Sequence, residues 1–227
     1  MIYQDSFGQG ILGKILNFFY RKGASKFDGL IYTQKGMAQF HPNAIYIPDY
    51  SYNKEKYQKY EQAAKKEKVV CPGTMNPFKK LEEMIEAFNI NGIKLEIRGY
   101  FFDKERFQRL LKMKKDNIVI EDVILSEEEY YRMIAEAKYC ILPYDMEQYA
   151  GRTSGVLQES VFLNTIPIAP SPLLRENQIQ GIGYGDIMDL GTKWKEITEV
   201  EIDNRLILDE YDRTNIQERL IEFMAQL

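Results

Sequence analysis

The sequence predicts an α/β protein with a doubly wound, Rossmann-like parallel sheet, preceded by a short remnant of a second domain. Short apolar runs alternate with helical patterns from Lys68 to about Leu190, which is the order of a parallel sheet with crossover helices. The connections are about two to six residues long, as in compact α/β units. The apolar runs are too short for helices and suit strands buried on both faces.

Residues 1–50 contain only part of a domain, so we divide the chain into a partial N-terminal segment with its linker and a larger domain over residues 51–227. The elements predicted for the segment are a helix at Ile11–Lys22, strands at Asp28–Thr33 and Ala44–Ile47, and a short helix at Gln34–Phe40. The charged, tyrosine-rich stretch Tyr52–Lys68 predicts a further helix.

The larger domain repeats a strand and a helix. Its predicted strands are Lys68–Cys71, Ile93–Arg98, Asn117–Glu121, Cys140–Leu142 and Ile166–Ala169. Its predicted helices start at Asn76 with Pro77 in first position, at Asp103, at Ser126 with Glu129 completing a capping box, and behind Ser154. Residues 171–185 predict an irregular loop, and the chain ends in a helix at Arg213–Gln226, which Trp194 is expected to support.

Composition excludes several classes of function. The net charge of −4 provides no basic field for nucleic acid, and no apolar run approaches the roughly 20 residues that span a bilayer. Cys71 and Cys140 both lie in apolar runs and are predicted to be buried thiols in a reducing compartment. His41, the only histidine, lacks neighbouring metal ligands and is predicted to be a surface loop residue. We expect a cytoplasmic protein, with the inner face of the membrane as the alternative location.

The Ile11–Lys22 helix has a broad apolar face with lysines opposite. It fits a core helix, a membrane-surface helix, or a helix that covers a missing partner. We favour the core, because most amphipathic helices pack inward. Lys14, Arg21, Lys22 and Lys26 keep the membrane-surface interpretation open.

The stretch Lys138–Pro170 predicts a strand, a loop, a helix and a second strand. Thr153 and Ser154 are both N-cap residue types, so a helix begins near the end of a parallel strand. The unpaired N–H groups at such a helix start bind anions, and Gly155 permits a close approach to the backbone. Glu159, about one and a half turns further on, places a carboxylate where it can accept hydrogen bonds from hydroxyl groups.

A second loop carries basic residues, in the stretch PGTMNPFKKLEEMIEAF. Gly73 ends a strand where the backbone must turn tightly. Lys79 and Lys80 fall in the predicted first turn of the following helix, where cations oppose the helix dipole unless an anion is near. Either a ligand or an exposed, solvated helix face explains them.

The run LPY…TSGVLQESVFLNTIPIAP resembles the donor-binding core of GT-B glycosyltransferases, the large retaining family that uses nucleotide sugars. The resemblance implies that Ser154 and Gly155 face the donor diphosphate or sugar and that Glu159 holds the ribose hydroxyls. It also maps the family's diphosphate-binding lysine onto Lys79. Two positions depart from the family: Gly151 replaces a glutamate, for which Glu147 or Arg152 are candidate substitutes, and Thr74 replaces an arginine, for which Arg98 or Arg152 are candidates.

The resemblance further implies that the loop at Asp122 and Val123 lies against the base, largely through backbone groups. Tyr144 fits either a sugar-pocket wall or a ring stacked on its own loop. The predicted catalytic residues are Lys79 and Glu159. The predicted donor-binding residues are Gly73, Thr74, Arg98, Val123, Tyr144, Arg152, Thr153, Ser154, Gly155, Val156 and Glu159.

The function that this resemblance implies is transfer of a sugar from a nucleoside diphosphate sugar to a glycan or lipid-linked acceptor, with no tightly bound cofactor or metal. Two alternatives stay open. The chain is either a non-catalytic nucleotide-sugar-binding module, or a donor subunit that needs an acceptor-domain partner chain or a second copy. An unrelated nucleotide-dependent α/β enzyme, such as an epimerase or a reductase, is a further alternative, of which the reductase fits poorly because no Gly-x-Gly-x-x-Gly follows a first strand.

Overall fold

The computed structural model describes residues 2–3, 11–33, 41–149, 152–199, 202 and 204–227. Its main element is a six-stranded, fully parallel sheet in the order β6-β5-β4-β7-β8-β9. The strands are β4 (Lys66–Pro72), β5 (Leu95–Gly99), β6 (Ile118–Asp122), β7 (Ala137–Ile141), β8 (Ile166–Pro170) and β9 (Ile182–Tyr184).

Helices cover both faces of this sheet. Side chains alternate along β4, so that Val69 and Cys71 join the larger core on one face while Val70 packs with Met133 on the other. The helices that follow β4 are α3 (Leu81–Asn91), α4 (Lys104–Met113), α5 (Glu127–Ala135), α6 (Met146–Tyr149), α7 (Gly155–Phe162), α8 (Ser171–Asn177), α9 (Asp189–Thr192) and α10 (Trp194–Thr198). The predicted doubly wound parallel sheet is confirmed.

A second, three-stranded parallel sheet lies in the N-terminal segment, in the order β1-β2-β3. Its strands are β1 (Ile2–Tyr3), β2 (Leu30–Tyr32) and β3 (Ala44–Tyr46), and α1 (Ile11–Ala24) connects the first two. The chain continues through α2 (Lys54–Tyr57) and a single 3-10 turn, and it ends in α11 (Arg205–Tyr211) and α12 (Arg213–Gln226). The guanidinium of Arg219 on α12 donates to the Tyr46 carbonyl at 2.6 Å, so the last helix returns to the small sheet.

Several predicted element boundaries are wrong. The stretch predicted as one helix over Tyr52–Lys68 forms only α2 and the short turn, because its charged end extends β4. The helix predicted at Asn76 begins at Leu81 instead, since Asn76 uses its side-chain oxygen to accept from the Phe78 N–H in a local turn. Residues 171–185, predicted to be irregular, contain α8 and β9. The predicted helix at Gln34–Phe40 lies outside the described residues.

Two single residues also differ from prediction. His41 is buried at 6% exposure, and its ring nitrogens lie 2.7 Å from the Asn43 carbonyl and 3.1 Å from the Phe27 carbonyl. Trp194 packs edge-on against Phe88 and Tyr139 in the main core, with ring centroids 5.6 Å and 5.5 Å away. Both thiols are free and buried, as predicted.

Candidate functional site

The candidate site lies at the carboxyl ends of β4 and β7, where the strand order reverses. The sheet continues through β5 and β6 on one side of β4, and through β7, β8 and β9 on the other. Crossover connections therefore diverge from two neighbouring strands and open a crevice between them, which is where open α/β sheets bind ligands.

Backbone hydrogen bonds join the loops that follow these two strands. Lys79 and Tyr144 form an isolated antiparallel bridge. On either side of it the Lys80 N–H donates to the Pro143 carbonyl at 2.6 Å, and the Asp145 N–H donates to the Phe78 carbonyl at 2.8 Å. The loop that carries Lys79 and the loop that leads to α7 thus form one wall.

The start of α7 follows the predicted pattern. Ser154 has an extended backbone, and its hydroxyl accepts from the Leu157 N–H at 3.3 Å, which makes it the N-cap. The Tyr144 hydroxyl lies 3.2 Å from the same oxygen, and Ser154 is 1% exposed. Serine is therefore needed here as an acceptor for the helix start and as a partner for Tyr144.

Lys79 is the most unusual residue of the site, because its ammonium is buried. Only 4% of the residue is exposed. Its Nζ donates to the Pro72 carbonyl at 3.0 Å and lies 3.8 Å from the Met75 sulfur. It forms no ion pair with any described carboxylate. Burying an ammonium without a counter-charge costs several kcal/mol, of order 3 to 5 in proteins.

Two glycines let the backbones of the site come close together. Gly73 has a φ of +87°, which favours glycine, and its N–H donates to the Arg98 carbonyl at 3.1 Å. A Cβ on Gly99 would lie 1.6 Å from the Gly73 carbonyl oxygen. Residue 99 therefore has to be glycine for the loop after β4 to turn across the end of β5.

Aromatic rings line the loop between β7 and α7. Tyr144 stacks on Tyr149 with centroids 3.9 Å apart and an angle of 5° between the rings, so it lies against its own loop. The guanidinium of Arg152 lies 4.7 Å from the centroid of the Phe78 ring. Arg152 is exposed.

A linker residue covers the start of α7. A Cβ on Gly155 would lie 2.5 to 2.6 Å from the ring of Tyr50, so the close approach that this glycine permits is used by the chain itself. The neighbouring Asp49 accepts a short hydrogen bond from the hydroxyl of Thr153. Tyr50 remains 40% exposed, so its ring is a cover at the surface rather than a part of the core.

Glu159 points toward α5 and is bound by tyrosines. It accepts from the Tyr130 hydroxyl at 2.6 Å and from the Tyr131 hydroxyl at 3.2 Å. Burial raises the pKa of Glu159 above its ordinary value, while the two tyrosine hydrogen bonds lower it in part. Both carboxylate oxygens of Glu159 therefore already accept hydrogen bonds from the protein, and a ribose hydroxyl would have to share them with the two tyrosines.

Three of the predicted donor-binding residues lie apart from this crevice or already have partners. Arg98 pairs with Glu121 at 2.6 Å across β5 and β6. The Val123 N–H donates to the Gly99 carbonyl at 3.0 Å, which leaves its carbonyl for other partners. Thr74 is exposed at the rim. Gly151 lies outside the described residues, and Glu147, its candidate substitute, is exposed on α6.

The structure brings together Gly73, Lys79, Tyr144, Arg152, Ser154, Gly155 and Val156, whose Cγ2 lies 4.0 Å from the position of a Cβ on Gly73. Sequence analysis missed Asp49, Tyr50, Tyr130 and Tyr131. Asp49 and Tyr50 belong to a linker about 100 residues before α7 in the sequence, so no local pattern connects them to the site. Tyr130 and Tyr131 are adjacent on α5, and nothing in their spacing indicates that both bind Glu159.

Comparisons with known proteins identify the fold. The sequence matches no protein-family model and no curated protein sequence. The structure is similar to AviGT4, a glycosyltransferase involved in avilamycin A biosynthesis, with a TM-score of 0.65 at 14% identity. It is also similar to a UDP-forming α,α-trehalose-phosphate synthase from Burkholderia xenovorans, with a TM-score of 0.66 at 9% identity. A third similar structure, an E. coli trehalose-6-phosphate protein bound with UDP-2-fluoro glucose, has a TM-score of 0.56 at 9% identity.

These alignments cover 87%, 99% and 81% of this chain, but only 62%, 67% and 52% of the three known structures. The chain therefore has the fold of GT-B glycosyltransferases, as the sequence resemblance implied, and spans about 62% of the length of AviGT4.

Proposed function

We propose that this chain binds a nucleoside diphosphate sugar at the crevice between β4 and β7 and transfers the sugar, with retained anomeric configuration, to a glycan or a lipid-linked acceptor. The fold supports glycosyl transfer in general. The donor class, the stereochemistry and the acceptor are our proposal, and they rest on the sequence resemblance together with the chemistry of the crevice.

The observation that carries the proposal is the buried ammonium of Lys79. A buried cation with no carboxylate partner among the described residues is costly, and an anion in the crevice would offset that cost. A diphosphate fits this requirement, because it also accepts hydrogen bonds from the N–H groups at the start of α7. Arg152, exposed beside Phe78, adds a second cation that can swing toward the same phosphates.

The proposed chemistry is electrostatic. Cleaving the bond between the sugar and the diphosphate leaves negative charge on the departing oxygen, and prearranged cations and N–H dipoles stabilise that charge as it develops. Lys79 and the start of α7 supply both. We propose that Glu159 helps to position the nucleoside through its hydroxyl groups, which requires Tyr130 or Tyr131 to share or release the carboxylate.

The alternative is a nucleotide-sugar-binding module or donor subunit that turns over only with a separate acceptor domain. One observation favours this alternative: the ring of Tyr50 covers Gly155 at the start of α7, where the diphosphate would bind.

Calorimetric titration of the chain with UDP, GDP, ADP, CDP and dTDP, and with their sugars, tests donor binding. We expect one of these nucleotides to bind, and Lys79→Met to weaken its affinity at least about tenfold, or about 1.4 kcal/mol. Lys80→Met is the matched control, because Lys80 is the next residue but its side chain is exposed and pairs only distantly, at 3.8 Å, with Asp145. The control should bind as wild type does.

Failure of every nucleotide to bind to the wild type and to Tyr50→Ala would overturn the proposal. If only Tyr50→Ala binds, the cover is confirmed and donor binding stands. Sugar transfer to added glycan or lipid-linked acceptors then separates the two candidates, since a donor subunit would bind the nucleotide sugar without consuming it.

A further inference from the structure

Helix α1 turns its large apolar side chains away from the protein. Six of them are exposed, which are Ile11 (82%), Leu12 (70%), Ile15 (47%), Leu16 (42%), Phe18 (62%) and Phe19 (64%). This excludes the core packing that the sequence favoured. The face that packs inward is instead small or polar.

The inward face follows a regular helical spacing. Gly13 and Ala24 are buried, and Asn17 and Tyr20 between them are half-buried. These positions are four, three and four residues apart, so they form one stripe along the helix. Ala24 and Tyr20 pack with Leu30 and its neighbours on the small sheet. The narrow inward stripe of α1 therefore packs on the small sheet, and the broad apolar face of the helix stays exposed.

The charged residues of α1, and of the short turn that follows it before Asp28, have one sign. Residues 11–27 contain Lys14, Arg21, Lys22 and Lys26 and no aspartate or glutamate, although the whole chain has a net charge of −4. Lys14 and Arg21 lie along one flank of the apolar face in a helical projection, and Lys22 lies at its carboxyl end. A basic flank beside an apolar face is the pattern of a helix that lies in an anionic membrane surface.

A protein partner fits this face less well than a lipid surface does. Lysine is depleted in the cores of protein interfaces, whereas the long stem of Lys22 can lie along apolar surface while its ammonium reaches phosphate headgroups. The adjacent rings of Phe18 and Phe19, 5.6 Å apart, supply aromatic bulk of the kind that enters the boundary between headgroups and acyl chains. No helix among the described residues is long and apolar enough to cross a bilayer.

We propose that the exposed face of α1, from Ile11 to Phe19, docks the protein on the surface of an anionic lipid bilayer. The apolar side chains enter the headgroup boundary, and the lysines bind lipid phosphates. This inference does not depend on the proposed function, because it concerns a different surface and a different ligand.

Vesicle flotation with the whole chain tests the proposal. We expect the wild type to float with vesicles of phosphatidylcholine and phosphatidylglycerol, to bind at least fivefold less to phosphatidylcholine alone, and to lose the difference in high salt. The double substitution Phe18→Ser and Phe19→Ser should lower binding at least tenfold. Its matched control is Phe102→Ser with Ile124→Ser, since these residues are 64% and 81% exposed but lie in the loops that follow β5 and β6 of the larger sheet.

Several outcomes would overturn the inference. They are failure of the wild type to float with anionic vesicles, full binding by the Phe18 and Phe19 variant, or equal loss in the control variant. Sedimentation equilibrium in the absence of lipid provides one further test. A wild-type dimer that the Phe18 and Phe19 substitutions dissociate would assign the face to a second copy of the chain instead. Lysine charge is checked separately by Lys14→Gln with Lys22→Gln, which should reduce binding only to anionic vesicles.

Discussion

Two helices with similar sequence patterns have opposite packing. In α3 the apolar residues Leu81, Met84, Ile85 and Phe88 are all 0% exposed and face the six-stranded sheet. In α1 the large apolar residues face outward, and Tyr20 and Ala24 contact the small sheet instead. Apolar periodicity therefore identifies the face of a helix that avoids water, but not what covers it.

The difference follows from the sheets beneath the two helices. The larger sheet has six strands and offers a surface on which α3, α4 and α9 pack side by side. Within the described residues, the smaller sheet has three strands of two or three residues. A surface of that size cannot bury a helix of 14 residues with a broad apolar face. Matched substitutions in α3 and α1, and at glycines of the two regions, test this difference in packing.

Phenylalanine truncation should give the largest effect. Phe88→Ala removes a ring at 0% exposure that packs against Trp194, and we expect it to lower the free energy of unfolding by about 3 to 5 kcal/mol. Phe18→Ala removes a ring at 62% exposure and should change that free energy by less than about 0.5 kcal/mol. Urea unfolding followed by far-UV circular dichroism measures both. A large loss for Phe18→Ala would show that α1 is packed in solution.

Glycine substitution should give the next largest effect, and with opposite signs. Gly99→Ala puts a Cβ 1.6 Å from the Gly73 carbonyl, and the backbone shift should cost about 1 to 3 kcal/mol. Gly23→Ala, inside α1, meets no atom within 4 Å and should stabilise by about 0.5 to 1 kcal/mol through helix propensity. Thermal unfolding measures the pair. Equal effects would contradict the close crossing of the two loops beside Gly99.

The sequence predicts the larger region well because its signals are local. The Ser126 capping box with Glu129 and the Ser154 cap are both present, since each depends on residues three positions apart. The site is predicted only in part. The Asn76 side chain forms a turn where a helix start was expected, and the cover of Gly155 comes from Tyr50, which is remote in sequence. The Lys79 burial likewise depends on how two distant loops meet.

The third prediction concerns Glu159, a half-buried carboxylate of the larger region that accepts hydrogen bonds from two tyrosine hydroxyls. Burial raises the pKa of Glu159, so the native state holds its proton more tightly than the unfolded chain does. The free energy of unfolding therefore falls as pH rises from the ordinary carboxyl value of 4.5 through the raised native value. Glu159→Gln removes this titration and should be more stable than wild type at pH 7, by about 1 kcal/mol or less.

The stability difference between Glu159→Gln and wild type should shrink as the pH is lowered toward 4.5, because the native wild-type carboxyl then becomes protonated and uncharged, as the glutamine amide is. Urea unfolding across this range measures it. Tyr130→Phe provides the control, since it removes the 2.6 Å hydrogen bond to this carboxylate. That substitution should destabilise the wild type more than it destabilises Glu159→Gln, because the hydrogen bond to a charged acceptor is the stronger one. A constant difference between Glu159→Gln and wild type at every pH would mean that burial does not perturb Glu159.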